Sequence, residues 1–167
     1  VRPPEKVAKV WAEAPLPKTP PEWALRWVWN HPEVSVVLSG MNKMEQVIEN
    51  IAAAEHSQPH NLTTDDLALI GKVRDTYRSL GPASCTGCKY CMPCPNGVDI
   101  PGVLNFYNEA MIYSDANRPR REYRRTEMFK EEQRGDKCIK CEICVDKCPQ
   151  KLPIPELLAK AHAFLMA

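Results

Sequence analysis

The sequence lacks any long hydrophobic run. No apolar stretch approaches the roughly 18–20 residues that a membrane-spanning helix needs, so we predict no membrane span. The first residues, 1–5, carry no apolar core of the kind found in secretory signal peptides. The sequence also lacks an initiator Met, and we expect a fragment or a processed chain. These absences predict a cytoplasmic location.

The sequence also lacks an excess of charge of either sign. Its 22 basic and 21 acidic residues give a formal net charge of +1. No overall field therefore favours nucleic acid or a membrane surface. The arginine-rich stretch from Arg118 to Arg125 is interpreted as a solvated helix face with Glu partners, and we predict no nucleic-acid partner.

Cysteine is absent everywhere except in two short runs. The first run reads C-x2-C-x2-C-x2-C-P, and the second reads C-x2-C-x2-C-x3-C-P. The members of the two runs are Cys85, Cys88, Cys91 and Cys94, then Cys138, Cys141, Cys144 and Cys148. The second spacing is the bacterial ferredoxin pattern for [4Fe–4S] clusters. The sequence therefore predicts two clusters and one-electron transfer.

The fourth cysteine of each run is predicted to serve the other run's cluster. In two-cluster ferredoxins this cysteine ligates the second cluster. The predicted ligands are Cys85, Cys88, Cys91 and Cys148 for cluster one, and Cys138, Cys141, Cys144 and Cys94 for cluster two. The first run has only two residues before its last cysteine, which leaves open whether Cys94 reaches cluster two. Structural zinc and disulfides are the alternatives, but each run has more cysteines than one zinc knuckle supplies.

Residues 83–167 contain an internal repeat. Residues 94–104 and 148–158 share the pattern C-P-x4-I-P-x2-L. Apolar residues between the runs follow helical spacing from Val103 to Tyr113, and a charged helix is predicted over 118–134. Five lysines lie close to the predicted ligands in sequence: Lys89, Lys137, Lys140, Lys147 and Lys151. They are interpreted either as functional groups, which stabilise the reduced clusters or dock an acidic partner, or as solvated loop residues.

The first 56 residues have a β/α pattern. One helix is predicted over 4–14, a second begins at a capping box at Thr19, and a third begins at a cap formed by Asn42 with Glu45. The β-branched residues over 34–38 predict a strand. A single strand cannot form a sheet, so this region is interpreted as the end of something larger. A further helix is predicted from Thr63 or Thr64 to about Leu80. The predicted divisions are 1–56, a linker and bridging helix over 57–82, and a cluster domain over 83–167.

Both parts resemble a known family combination. The segment TPPEWALRWVWNHPEVSVVLSGMNKMEQVIENIAAAE resembles the last strand and helices of the aldo/keto reductase barrel. The segments CTGCKYCMPCPNGVDIP and CIKCEICVDKCPQKLPIPELL are similar to a cluster domain fused C-terminally in one branch of that family. The resemblance implies a mainly α fold: a C-terminal slice of a (β/α)8 barrel followed by an α-helical ferredoxin-like domain.

The resemblance also implies a nicotinamide cofactor, NAD(P), in the intact protein. It places Gly40 and Asn42 in a phosphate-contacting turn, and Gln46, Glu49 and Asn50 on the adenine side. The family's catalytic Asp, Tyr, Lys and His come from earlier strands, and none of the four histidines of this chain takes such a place. We therefore expect this chain alone not to reduce a carbonyl, so its enzymatic status stays undecided.

The leading hypothesis is electron transfer as the C-terminal part of an aldo/keto reductase-like oxidoreductase. Its expected partners are the missing N-terminal barrel portion and a redox donor or acceptor protein. One alternative is a stand-alone ferredoxin-like electron carrier with 1–56 as a docking appendage. Another is a structural metal-binding domain, since a small domain gains much of its stability from ligation.

Overall fold

The computed structural model describes residues 2–167, and it is mainly helical, with no strand among those residues. The chain divides into two compact units, one ending at Thr76 and the other running from Tyr77 to Ala167. Each unit has its own buried apolar cluster. The mainly α character that the sequence predicts is therefore confirmed.

The described part of the first unit is built from helices and the loops between them. The helices are α1 (Glu5–Trp11), α2 (Pro20–Trp29), α3 (Met44–Glu55) and α4 (Thr64–Leu80), of which the last turn lies in the second unit. The Thr63 hydroxyl accepts from the Asp66 N–H at 3.1 Å, and the Asp66 carboxylate accepts from the Thr63 N–H at 3.0 Å. This reciprocal cap explains why α4 begins where the sequence predicts.

Helix α2 supplies the core of the first unit. The Thr19 hydroxyl accepts from the Glu22 N–H at 3.3 Å, which confirms Thr19 as the N-cap, but the Glu22 side chain does not complete the predicted capping box. The Glu22 carboxylate lies 3.2 Å from the Arg26 Nε, so it pairs along the helix. Trp23 is 1 % exposed and stacks on Trp11 with the ring centroids 5.2 Å apart. This aromatic pair is the centre of the small first core.

Two predictions for the first unit are wrong. Residues 34–38 form no strand; Val36 is 75 % and Leu38 94 % exposed. A strand needs a neighbour for its backbone groups, and the described residues offer none. Helix α3 is preceded by Lys43 as its N-cap, without a side-chain cap. The Asn42 N–H instead donates to the Gln46 Oε1 at 3.0 Å, so Gln46 rather than Asn42 supplies the acceptor.

The second unit contains two long helices, each of which follows one cysteine run. Its elements are α5 (Ile100–Ile112), α6 (Asn117–Arg124), α7 (Ile143–Asp146) and α8 (Ile154–Met166), with 3-10 turns at Glu131–Gln133 and Gly135–Lys137. The Asp99 carboxylate caps α5 by accepting from the Gly102 N–H at 3.1 Å. Pro101 and Pro155 sit in the first turns of α5 and α8, where a missing N–H costs nothing.

The charged helix predicted over 118–134 is shorter than expected. Helix α6 ends at Arg124, and the chain then turns so that Phe129 is 5 % exposed. Tyr123 and Phe129 would lie about 120° apart on one helix, since each residue turns the chain by about 100°. Ending the helix lets both rings pack together, 5.3 Å between centroids, with Phe106 also against Phe129.

The core of the second unit lies directly behind the cysteines. Its most deeply buried side chains are Val98, Ile100, Val103, Leu104, Tyr123, Ile154, Leu158, Ala161 and Leu165. Five half-buried cysteines pack against this cluster: Cys85, Cys91, Cys94, Cys138 and Cys144. Burying one Leu or Ile side chain contributes roughly 1.5–3 kcal/mol, so helices α5 and α8 form a firm base for the cysteine loops.

Candidate metal centre

The thiols line two cavities in the second unit. One is lined by Cys85, Cys88, Cys91 and Cys148. The other is lined by Cys94, Cys138, Cys141 and Cys144, with Cys91 also in its wall. We call these cavity one and cavity two.

Each cavity combines cysteines from both runs. Cys148, from the second run, lies in the wall of cavity one with the first three cysteines of the first run. Cys94, from the first run, lies in the wall of cavity two. The shorter spacing before Cys94 therefore does not keep it away from the second group. The grouping is the one that the crossed ligand scheme predicts, although ligation itself stays a prediction.

The two groups of thiols share one pattern of exposure. Cys88 and Cys141, the second cysteine of each run, are exposed. The first and third cysteines of both runs, together with Cys94, are half-buried, and Cys148 is buried. Each cavity is therefore closed by the core on one side and reaches the surface beside its second cysteine.

The loops between the cysteines have the same unusual backbone in both runs. Gly87 and its repeat equivalent Lys140 have φ values of 67° and 56°. Lys89 and its equivalent Glu142 have values of 64° and 63°. Left-handed residues among right-handed ones turn successive N–H groups toward one concavity, the geometry of many iron–sulfur sites. Non-glycine residues hold this conformation at a cost, which marks the loops as built for a site.

The repeat continues beyond each run. Gly97 and Lys151 have φ values of 80° and 51°, and each N–H donates at 3.0 Å to the carbonyl of a cysteine, Cys94 or Cys148. Each turn leads into a long helix with Ile at its first position. The one-residue difference in spacing therefore lies between the third and fourth cysteines of the runs.

Burial disfavours the thiolate form of the third cysteine of each run. Burial raises the pKa of Cys144 to about 11, and it raises the pKa of Cys91 in the same direction. Neighbouring thiols add to both shifts, including an effect of Cys91 on Cys144. A metal binds the thiolate, so ligation at these positions must displace a proton.

The donor set fits a cluster of several iron ions. Thiolates are soft ligands that suit iron–sulfur clusters, zinc and copper(I). Among residues 2–167, no group of three His, Cys, Asp or Glu side chains is placed as the ligands of a single ion. The thiols line the two cavities, four in cavity one and five in cavity two. Four thiolates around one site are the ligand set of a [4Fe–4S] cluster.

The residues proposed for nucleotide contact lie in the first unit. Asn42 and Gln46 are joined through the backbone N–H of Asn42, and the Asn50 amide donates to the Ser39 hydroxyl at 3.0 Å. Gly40 lies between these links and is exposed, and a Cβ atom added to it would meet no other atom within 4 Å. Glu49 lines an open hollow that it shares with Asn50. Their role in nucleotide binding stays a prediction.

Sequence reasoning missed the polar residues that hold the starts of the two cysteine loops. The Asn108 amide accepts from the Ala83 N–H at 3.0 Å and donates to the Ala83 carbonyl at 2.7 Å. The Tyr123 hydroxyl accepts from the Gly135 N–H at 2.9 Å and lies 2.9 Å from the His162 Nδ1. Extending the repeat along α5 and α8 would have aligned Asn108 with His162.

Among the described residues, no helix is long and apolar enough to cross a membrane, as the sequence predicts.

The five lysines close to the predicted ligands are all exposed. Lys137 pairs with Asp136 at 3.0 Å. These positions fit either of the two interpretations given for the lysines.

Two protein-family models match separate parts of the chain. Residues 84–152 match the model of the 4Fe-4S dicluster domain. Residues 4–75 match the model of the aldo/keto reductase family. The chain matches no curated protein and no solved structure. The predicted combination is confirmed: a segment that matches the aldo/keto reductase family is followed by a segment that matches an iron–sulfur, ferredoxin-type domain.

Proposed function

We propose that the chain transfers electrons through two [4Fe–4S] clusters, one in each cavity. The observation that carries the proposal is the pairing of three cysteines from one run with the fourth from the other. Cluster one would be held by Cys85, Cys88, Cys91 and Cys148, and cluster two by Cys138, Cys141, Cys144 and Cys94. The match to a dicluster domain supports the count of two.

The clusters would supply one-electron redox chemistry. The cysteines would bind the clusters, and the apolar core behind them would keep water from the inner face of each cluster. The walls of the two cavities would determine the route that an electron takes between the clusters. Cys91 lines both cavities, and Ile100 is common to both walls. This shared wall supports electron exchange between the two sites. Cys88 and Cys141, exposed on the outer sides, are the points at which an external donor or acceptor protein would approach.

We place this electron path within an aldo/keto reductase-like oxidoreductase. An apolar face of α3 supports the presence of a barrel partner: Met44 is 69 %, Ile48 62 % and Ile51 55 % exposed. These residues are four and three positions apart and so share one side of the helix. The preceding segment adds Val36 and Leu38, also exposed. An N-terminal barrel portion, with the missing strands and catalytic residues, would cover this surface.

The remaining assignments follow from the same resemblance. NAD(P) in the intact protein would meet Gly40, Asn42, Gln46, Glu49 and Asn50, beside the start of α3. The divisions 1–56, 57–82 and 83–167 describe the barrel slice, the bridging helix and the cluster domain. The eight cysteines are free thiols and form no disulfide, which is typical of a reducing compartment and supports a cytoplasmic location.

Single-cysteine variants test the crossed scheme. Cys88→Ala and Cys141→Ala each disrupt one predicted cluster and so assign the paramagnetic-resonance signal of each in anaerobically reduced protein. We expect Cys148→Ala to change the same signal as Cys88→Ala, and Cys94→Ala the same signal as Cys141→Ala. Cys148→Ala with the spectrum of Cys141→Ala would contradict the crossed scheme and favour ligation of each cluster by one run.

The packing of cysteines on the core also supports a structural role for the metal groups, as a second function. Titration with a low-potential chemical reductant separates the two functions. Reversible reduction of both clusters supports electron transfer. Clusters that no such reductant reduces would leave only the structural role.

The link to the barrel is tested by adding, in trans, an aldo/keto reductase barrel that lacks its last strand and helices. We expect a complex on size-exclusion chromatography that Ile48→Lys weakens at least tenfold. The matched control is Leu67→Lys, a substitution on α4 at a residue that is 43 % exposed. Equal effects of the two variants would contradict the proposed contact.

A further inference from the structure

The repeat places a polar residue at the same position of α5 and α8. Asn108 and His162 are 54 positions apart, the same separation as Cys94 and Cys148. Each lies on the helix that follows one cysteine run. Each is also connected to the short segment just before that run. This equivalence indicates that Asn108 and His162 have the same structural role, although their side chains are chemically different.

The connection from α5 is direct. The Asn108 side chain uses both ends of its amide on Ala83, accepting at 3.0 Å and donating at 2.7 Å. Ala83 is 4 % exposed and lies two residues before Cys85. Both backbone polar groups of a buried residue are thus satisfied by one side chain, which fixes where the first cysteine loop begins.

The connection from α8 runs through a tyrosine. Tyr123 is fully buried, and its hydroxyl accepts from the Gly135 N–H. Burial raises the pKa of Tyr123, so the phenol keeps its proton. The hydroxyl also lies within hydrogen-bond distance, 2.9 Å, of the His162 Nδ1, and this ring nitrogen lies 3.6 Å from the Asp136 Oδ1.

The surroundings of this second connection are tightly packed. A Cβ atom on Gly135 would lie 2.8 Å from the Leu158 carbonyl oxygen and 3.2 Å from the His162 Cβ. The Gly135 carbonyl in turn accepts from the Cys138 N–H at 3.2 Å. Gly135 is therefore held against α8 on one side and contacts the first cysteine of the second run on the other.

We propose that Asn108 and the Tyr123–His162 pair are equivalent anchors, each of which positions the cysteine loop of one cluster. This inference rests on the proposed function, because it assigns positioning residues to the two proposed clusters. Asn108 would govern cluster one, and Tyr123 with His162 would govern cluster two. The two sets share no residue, so each cluster can be perturbed separately.

The experiment compares Asn108→Leu with His162→Leu in the full, anaerobically loaded chain. Each cluster's paramagnetic-resonance signal and reduction potential are followed, with signals assigned by Cys88→Ala and Cys141→Ala. We expect Asn108→Leu to shift or abolish the signal and potential of cluster one alone. His162→Leu should do the same to cluster two alone. Where a cluster is lost, iron should fall by about half, since each cluster holds about four iron atoms.

Two further variants separate positioning from general loss of folding. His162→Asn retains a hydrogen-bonding group near the place of Nδ1, so its cluster-two signal should lie closer to that of the wild type than the signal of His162→Leu. Tyr123→Phe removes only the hydroxyl and should shift the cluster-two potential while the helical circular dichroism signal is kept. A role in packing alone would leave that potential unmoved by Tyr123→Phe.

The outcomes distinguish this proposal from the one on which it rests. Wild-type protein without iron and sulfide would overturn the cluster assignment, and the anchors with it. Loaded wild-type protein in which Asn108→Leu and His162→Leu change both clusters equally, or neither, would overturn the anchors alone. A signal change in cluster two on Asn108→Leu, with cluster one unchanged, would also overturn them.

Discussion

The two units of the chain differ in how far their large apolar side chains are buried. In the second unit the large aliphatic side chains of α5 and α8 are buried around the cysteine loops, as Ile100, Leu104 and Leu158 show. In the first unit the buried cluster is small, and Leu38 and Ile48 remain more than half exposed.

This difference reflects what each unit packs against. The second unit surrounds its own site, and its core and thiols form one structure. The first unit exposes several large apolar side chains on α3 and on the segment before it, and this is the surface that we propose the barrel portion covers. A short helical segment cannot reproduce the parallel sheet against which barrel helices pack. The aldo/keto reductase resemblance therefore describes the first unit's sequence better than its isolated fold.

The largest expected effect comes from removing the metal. Chelation should melt the cysteine loops and expose α5 and α8, because ligand bonds tie these elements together. Helix α2, whose core is independent of the thiols, should change little. Hydrogen exchange before and after chelation measures both regions, and restoration of iron and sulfide is the control. Equal loss of protection in α2 and α8 would contradict the comparison.

The second largest effect is expected from apolar substitutions, whose cost in stability should differ between the two units. Leu158→Ala should cost about 2–5 kcal/mol, since Leu158 is 1 % exposed beneath the cavities. Ile48→Ala, at a side chain 62 % exposed, should change stability by no more than about 0.5 kcal/mol. Urea unfolding of the anaerobic protein measures both. A cost at Ile48 as large as at Leu158 would show that this face is already covered.

A pair of glycines tests packing at finer scale. Gly135→Ala should cost roughly 1–3 kcal/mol, because its Cβ would meet the Leu158 carbonyl oxygen at 2.8 Å. Gly71→Ala, inside α4 with nothing within 4 Å, should stabilise that helix by roughly 0.5–1 kcal/mol. Thermal unfolding compares the variants with the wild type. Destabilisation by Gly71→Ala, or none by Gly135→Ala, would contradict these contacts.

The smallest expected effect lies in the cysteine loops. Lys140 has a φ of 56°, at the position that Gly87 occupies in the first run. Lys140→Gly should stabilise the loaded protein by up to about 1 kcal/mol, since glycine accepts this conformation freely. Lys140→Val should destabilise it by a similar or larger amount. The loss of cluster absorbance with temperature records both, and the reverse order would contradict the left-handed assignment.

The cysteine runs and the starts of α2 and α4 could be predicted from the sequence because their signals are local. The spacing of the thiols, the Thr19 cap and the Thr63 start each depend on residues within a few positions of one another. The strand over 34–38 could not be decided this way, since β-branched residues form a strand only with a partner. The anchors were missed because Asn108 and His162 act on segments far from them in sequence.

The most direct test of the central claim is the metal content of the anaerobically purified chain, with iron, acid-labile sulfide and zinc measured together. Two [4Fe–4S] clusters predict about eight iron atoms and about eight sulfides per chain. About four of each would mean that one cavity does not hold a cluster. Zinc without sulfide would contradict the electron-transfer account and leave a structural metal domain.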